Sequence, residues 1–340
     1  MAEQIKVVRT DAELQCPGID KGLRDYGARL VLLPDGISEE RLAREVRDAH
    51  LLLMCYTPVT ERVLREAKKL KGIVKYGVGI DAIDIVTARE LRIPVVNVPE
   101  YAEETVAEGA FALMIALAKR HKAIAREMDL NGWAWPASPL LGSDLAGKTM
   151  GLVGVGKIGR SMARMGGAGF RMRVLGYDPL LYAETLRSLG VEKVDSLNDM
   201  LAQSDFVSIH TVLSPQTRHL IGAEQFAAMK RTAYFVNVSR GAIVDELALL
   251  AALKNGLIAG AGLDVYGIEP VAKSGHPLSD LYAMNNVILS PHLTFFTHEA
   301  MQRLEDDTLA RCYEMLEGRP VLIRSRDPRL TAQEHGVTFA

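Results

Sequence analysis

Material for disulfides or for clustered metal ligation is the first thing missing from this chain of 340 residues. Its three cysteines, Cys16, Cys55 and Cys312, are odd in number, widely scattered and without metal-ligand spacing. That usage fits a reducing compartment and predicts a cytoplasmic protein with neither a disulfide framework nor a bound metal. Net charge is also nearly absent, since 40 basic and 42 acidic residues leave only −2. No long-range field draws such a chain to nucleic acid or to an anionic membrane, so neither partner is expected. The longest apolar run, residues 109–118, is too short to span a bilayer and reads as a buried helix. Met1-Ala2-Glu3-Gln4 has neither the basic nor the apolar region of a secretory leader, so none is expected. No repeat of fixed period and no low-complexity segment interrupts the chain.

What is present is the composition of a globular protein, 48% hydrophobic and 24% charged, long enough for two cores. Short apolar runs at 5–8, 29–33, 51–55, 73–76 and 95–98 alternate with amphipathic stretches at 39–47, 60–69 and 82–91. Such alternation predicts a small parallel α/β sheet. A long helical pattern then covers 103–128, followed by an irregular connector containing Trp133 and Trp135. Further strand-like runs at 206–209, 233–238, 258–263 and 287–289 predict a second, doubly wound sheet. An amphipathic stretch at 299–316 still needs a core to cover, and the polar tail from Arg324 is expected to be mobile. The expected fold is therefore α/β with two Rossmann-like domains. Residues 101–292 form a dinucleotide-binding domain inserted into a flavodoxin-like substrate domain made of 1–100 and 293–340. A hinge near the two crossings is expected to close over substrate.

The most informative segment is Gly154-Val155-Gly156-Lys157-Ile158-Gly159, with Asp178-Pro179 downstream. An apolar run leads into G-x-G-x-x-G, a helix-like stretch follows, and a second apolar run ends on the acid. Strand, turn, helix, strand and acid in this register mark a dinucleotide site. Gly154 permits the turn, Gly156 lets backbone approach a pyrophosphate, and Gly159 allows helix and strand to pack closely. The pyrophosphate is expected on the free N–H groups of the helix N-terminus. Asp178 can accept from both ribose hydroxyls of NAD and repels the 2′-phosphate of NADP, so NADH should be preferred over NADPH.

Three further groups each follow an apolar run: Arg240 in Asn237-Val238-Ser239-Arg240-Gly241, Glu269 before Pro270, and His292 in Ser290-Pro291-His292. With Gly147-Lys148-Thr149, Gly241-Ala242-Ile243-Val244-Asp245 and Gly262-Leu263-Asp264-Val265-Tyr266, these residues resemble the D-isomer-specific 2-hydroxyacid dehydrogenases over about residues 5–322. The resemblance implies hydride exchange between NAD and the carbinol carbon of a small 2-hydroxy acid, without a metal. His292 is then the general acid/base. Glu269 bonds its other ring nitrogen and favours the imidazolium by its charge. Arg240 orients the substrate carboxylate and polarises the carbonyl.

The same resemblance implies cofactor contacts from Gly154, Val155, Gly156, Lys157, Ile158 and Gly159, from Asp178 and Pro179, and from His210 and Thr211. Val238, Ser239, Arg240, Asp264, His292 and Thr105 complete that set, with Asp264 facing the nicotinamide carboxamide and His210 shaping the pocket. Val78 and Gly79 in Tyr76-Gly77-Val78-Gly79-Ile80-Asp81 are expected to hold the substrate carboxylate through backbone N–H groups, with Tyr101 on the substrate side. After His292 the family commonly has a small, glycine-containing turn, whereas this chain has Phe295 and Phe296. They put bulk near the substrate side chain, which favours an apolar or medium-sized 2-oxo acid. The run at 109–118 and the tryptophan connector suggest a homodimer built on the cofactor domain. Two alternatives share the fold. A formate dehydrogenase pairs its histidine with glutamine, which Glu269 argues against. A dinucleotide-sensing scaffold like the transcriptional corepressors retains the trio, and turnover of 2-oxo acids separates it from an enzyme.

Overall fold

The computed structural model describes residues 4–340. The chain separates into two compact units, one running through Ala102 and resuming at Thr297–Ala340, the other Glu103–Phe296.

The first unit alternates strands and helices in chain order: β1 (Lys6–Arg9), α1 (Pro17–Asp25), β2 (Arg29–Leu32), α2 (Glu39–Val46), β3 (Leu51–Met54), α3 (Glu61–Glu66), β4 (Gly72–Lys75), α4 (Ile85–Glu90) and β5 (Val95–Asn97). The five strands are parallel in the order β2-β1-β3-β4-β5, a doubly wound arrangement whose direction reverses between β1 and β3. Central strands β3 and β4 are buried at every position, as both faces carry helices. Local signals start the helices: Ser38, Thr60 and Asp84 each accept from the backbone N–H three residues on.

The second unit opens with α5 (Glu103–Ala118) and α6 (His121–Asn131). The single helix expected over 103–128 is broken because Arg120 is left-handed, at φ 56°. There follow β6 (Thr149–Val153), α7 (Lys157–Arg164), β7 (Arg173–Tyr177), α8 (Ala183–Ser188), β8 (Glu192–Lys193), α9 (Leu197–Gln203), β9 (Phe206–Ile209), α10 (Ala223–Ala228), β10 (Tyr234–Asn237), α11 (Glu246–Lys254), β11 (Gly260–Leu263) and β12 (Val287–Leu289). All seven strands are parallel, ordered β12-β11-β10-β9-β6-β7-β8. Alternation along the strands feeds two cores. Val153, Val207, Ile209 and Phe235 face one layer of helices, while Leu152, Phe206, Tyr234 and Val236 face the other. Each fully buried side chain of this kind contributes about 1.5–3 kcal/mol. The apolar run of α5 completes the second of these cores through Ala110, Phe111, Met114 and Leu117.

The chain returns to the first unit through α12 (His298–Leu316), β13 (Val321–Ile323), α13 (Pro328–Thr331) and β14 (Val337–Phe339). Two expectations are corrected here. The tail beyond Arg324 is structured: β14 pairs with β13, and the buried Gln333 exchanges hydrogen bonds with both backbone groups of Val95. Residues 293–296, assigned from the sequence to the split domain, belong to the second unit. Asp264, just past β11, holds them by accepting from Leu293 N, Thr294 N and Thr294 Oγ1 at 2.8, 3.1 and 2.6 Å. Among the described residues no helix is long and apolar enough to cross a membrane.

Candidate active site

A parallel sheet delivers every strand's C-terminal end to one edge, and in the second unit the motif residues all lie there. Gly154 follows β6, Asp178 follows β7, His210 follows β9, Arg240 lies three residues past β10, Asp264 follows β11, and His292 lies three past β12. The direction of winding reverses between β6 and β9, where open α/β sheets place their ligands.

The glycine turn is built by close approach. Gly154 has φ +90°, and a Cβ there would sit 2.8 Å from Thr211 N. A Cβ on Gly159 would meet the Gly154 carbonyl oxygen at 2.4 Å, whereas one on Gly156 would meet nothing within 4 Å. Two glycines thus weld the turn to the sheet, and the third keeps open the approach to the N-terminus of α7. Asp178 steadies this turn, accepting from Val155 N at 2.9 Å and from Leu180 N at 3.0 Å. A carboxylate has about four acceptor sites, so roughly two are left for hydroxyl donors. Pro179 is exposed beside it and Ile158 half-buried, while Lys157 forms an ion pair with Glu103 at 2.8 Å. Thr105 is buried in the first turn of α5. Ser239 donates its hydroxyl to the Thr211 carbonyl, which ties the ends of β9 and β10 together, and Val238 is buried beneath.

His210 stands beside Gly154 and Gly159, and both its ring nitrogens are buried without a hydrogen-bond partner. Burial pulls its pKa down from 6.5 to about 3, so it is neutral at working pH. The unfolded chain takes up this proton first. The stabilisation is therefore complete above pH 6.5 and is lost as pH falls towards 3, at most roughly 4–5 kcal/mol at about 1.4 kcal/mol per pH unit. Thermal melts from pH 7 to 4 should accordingly show a shallower decline for His210→Asn than for the native chain. Parallel melting curves would exclude this.

Arg240, Glu269 and His292 come from three successive strand ends. A Cβ on Gly241 would lie 1.9 Å from the carbonyl carbon of Tyr266, so only glycine lets the Arg240 loop lie against the loop that ends in Glu269. Asn237 donates to Arg240 O at 2.9 Å and accepts from Ser239 N at 3.0 Å, shaping the backbone under the guanidinium. Arg240 Nη1 lies 2.7 Å from Ser239 O. Glu269 Oε1 accepts from Tyr266 N at 2.9 Å, which leaves Oε2 to meet His292 Nδ1 at 3.0 Å. His292 is left-handed, at φ 59°, a strained conformation for a residue with a Cβ. Asp264 stabilises it by binding the next two backbone N–H groups.

Asp264, expected to face a nicotinamide carboxamide, thus also holds the loop that follows His292. The residue is fully buried and its oxygens are engaged by three donors. The resemblance of Gly262-Leu263-Asp264-Val265-Tyr266 carried that expectation, and an acid in this position equally marks a turn cap. Phe295 is buried, edge-on to His292 with ring centroids 6.4 Å apart, and it touches Phe296, which is half exposed.

In the first unit, the loop after β4 carries Val78, exposed, and Gly79, with Val78 O fixed by Asn97 Nδ2 at 2.6 Å and Gly77 O by Val98 N at 3.0 Å. Tyr101 is buried and its carbonyl accepts from Arg303 Nε at 2.7 Å. The sequence reading missed Asp11. This residue, left-handed at φ 56° and almost fully buried, accepts from Thr10 Oγ1, from the backbone N–H groups of Cys55, Tyr56 and Thr57, and from Thr57 Oγ1.

Residues 111–294 match the family model described as D-isomer specific 2-hydroxyacid dehydrogenase, NAD binding domain. The chain belongs to that family. It is 42% identical over 272 residues to a glyoxylate reductase of Korarchaeum cryptofilum, covering 79% of this chain and 80% of the relative. It is 40% identical over 268 residues to a D-3-phosphoglycerate dehydrogenase of Methanocaldococcus jannaschii, of which it spans 50%. The D-lactate dehydrogenase of Aquifex aeolicus, solved with NAD and lactic acid, superposes with a TM-score of 0.81 at 28% identity, covering 92% of this chain and 96% of that one. Membership makes this chain an NAD-binding oxidoreductase for small 2-hydroxy or 2-oxo acids.

Proposed function

We propose that the chain interconverts a D-2-hydroxy acid and its 2-oxo acid, with His292 and Glu269 as the acid–base pair and Arg240 as the group that orients and polarises the substrate. The observation that carries this reading is the 3.0 Å contact between His292 Nδ1 and Glu269 Oε2 at the strand edge that also bears the glycine turn. The turn fits a dinucleotide: Gly156 is open, the first N–H groups of α7 have no intrahelical acceptor, and an unpartnered imidazole lies alongside. NAD, when bound, supplies the hydride acceptor or donor. With Nδ1 committed to Glu269, His292 exchanges the substrate oxygen's proton through Nε2. Arg240 binds the carboxylate and meets the charge that grows on that oxygen. In the split unit the loop 76–81 takes the substrate, offering the N–H groups of Val78 and Gly79 to a carboxylate, with Tyr101 as the substrate-side tyrosine. Phe295 and Phe296 favour apolar or medium-sized side chains.

An NADH-oxidation screen over glyoxylate, pyruvate and longer 2-oxo acids tests the reading, and no turnover with any of them would refute it. It would also leave the dinucleotide-sensing alternative standing.

NADH should be preferred over NADPH by at least about 100-fold in kcat/KM, because Asp178 would face the extra phosphate with no arginine beside it in sequence. Asp178→Ala should narrow the gap, mainly by weakening NADH. Equal kcat/KM with both cofactors in the native enzyme would remove the basis for this assignment.

We further propose a homodimer through the end of α6 and the connector after it, where Leu130, Trp133, Trp135 and Leu141 are 62–79% exposed. The apolar run of α5 no longer contributes to that argument, since it fills its own unit's core. A sedimenting monomer at micromolar concentration would contradict it.

A further inference from the structure

Four basic side chains are buried in the described residues: Lys6, Arg9, Lys75 and Arg311. Three have a carboxylate partner, Lys6 with Asp48, Arg9 with Asp20 and Arg311 with Glu314. Lys75 has none. Its Nζ donates only to Cys55 O at 2.7 Å and to Cys55 Sγ at 3.1 Å, and lies 5.4 Å from the centre of the Tyr56 ring. Asp11, the buried carboxylate at the same strand edge, holds the 55–57 loop from its other side and is engaged by five donors, none of them Lys75. A buried cation without a counter-ion is costly, and an anion bound beside it offsets that cost.

The position of Lys75 says where that anion belongs. It is the last residue of β4, directly before Tyr76-Gly77-Val78-Gly79. Gly77 has φ +145°, and a Cβ there would stand 2.9 Å from Lys75 Nζ. The loop therefore passes over the ammonium, at a backbone φ that favours glycine. Asn97 and Val98 pin the same loop from β5 and beyond.

We propose that Lys75 is a specificity-determining positioning residue: its buried charge beneath Gly77 selects a substrate carboxylate at the Val78–Gly79 N–H groups over a neutral carbonyl compound. The inference rests on the reading of loop 76–81 given above. The backbone donors alone would hold any oxygen acceptor; the ammonium adds an attraction that only an anion feels.

The test compares pyruvate with methyl pyruvate, with NADH as reductant, in the native enzyme and in Lys75→Met and Lys75→Gln. The native enzyme should favour the acid in kcat/KM. Lys75→Met should shrink that preference at least about tenfold, through a higher KM for pyruvate, with kcat for methyl pyruvate and the fluorescence titration of NADH unchanged. If both substrates lose activity in equal proportion, Lys75 merely supports the loop and the inference fails. Loss of the fold in both variants would assign the lysine to stability and overturn it as well. A native enzyme inactive on every 2-oxo acid would instead refute the proposed function, a result distinguishable from either.

Discussion

His292→Asn is expected to lower kcat for 2-oxo acid reduction by about 10²–10⁴ while leaving the Kd for NADH within about twofold, because proton transfer is a transition-state role. Asparagine can still donate a hydrogen bond, but it cannot deliver a proton at neutral pH. Glu269→Gln should be milder. It keeps a hydrogen-bonding group towards Nδ1 and loses only the charge that steadies the imidazolium, so a fall of about 10–100-fold is expected. Stopped-flow single turnovers with saturating NADH separate the chemical step from product release. A His292→Asn enzyme with a native single-turnover rate would exclude His292 as the proton donor.

Arg240→Ala should damage both kinetic constants. Loss of the charge-assisted bond to the carboxylate corresponds to about 1.5–3 kcal/mol, roughly a ten- to hundredfold rise in KM. Loss of the donor facing the developing oxyanion takes a further factor of about 10²–10³ from kcat. Arg240→Lys keeps a charge but not the planar fork, so it should recover part of KM and little of kcat. An unchanged KM in Arg240→Ala, with only kcat reduced, would show that the carboxylate is held without this residue. The structure adds a control: Asn237 shapes the backbone beneath Arg240 without itself being placed to reach substrate, since both its amide bonds are local. Asn237→Ala should therefore lower kcat/KM less than Arg240→Ala does.

The strands, their parallel direction and the glycine turn were legible in the linear pattern because they rest on local physics. Apolar runs of four or five residues bounded by turns leave few options besides buried parallel strands, and G-x-G-x-x-G serves close backbone approach wherever it follows one. That Arg240, Glu269 and His292 come to one edge was legible for a related reason, since each lies within a few residues of a strand end and a parallel sheet brings such ends together. What the sequence could not decide were contacts whose partners lie far apart along it. Asp264 gives no sign of its role in the loop after β12 until residues 293 and 294 fold back onto it, which moves the boundary between the units to Phe296 and holds His292 left-handed. The tail after Arg324 looks polar and unstructured because its anchor, the exchange between Gln333 and Val95, spans 238 positions. Lys75 looks like any lysine at a strand end until folding buries it under Gly77 and gives it no carboxylate. Local propensity thus wrote the sheets and aligned the side chains proposed to react. Burial and long-range pairing, which depend on the assembled chain, decided which charges are spent on structure and which remain for chemistry.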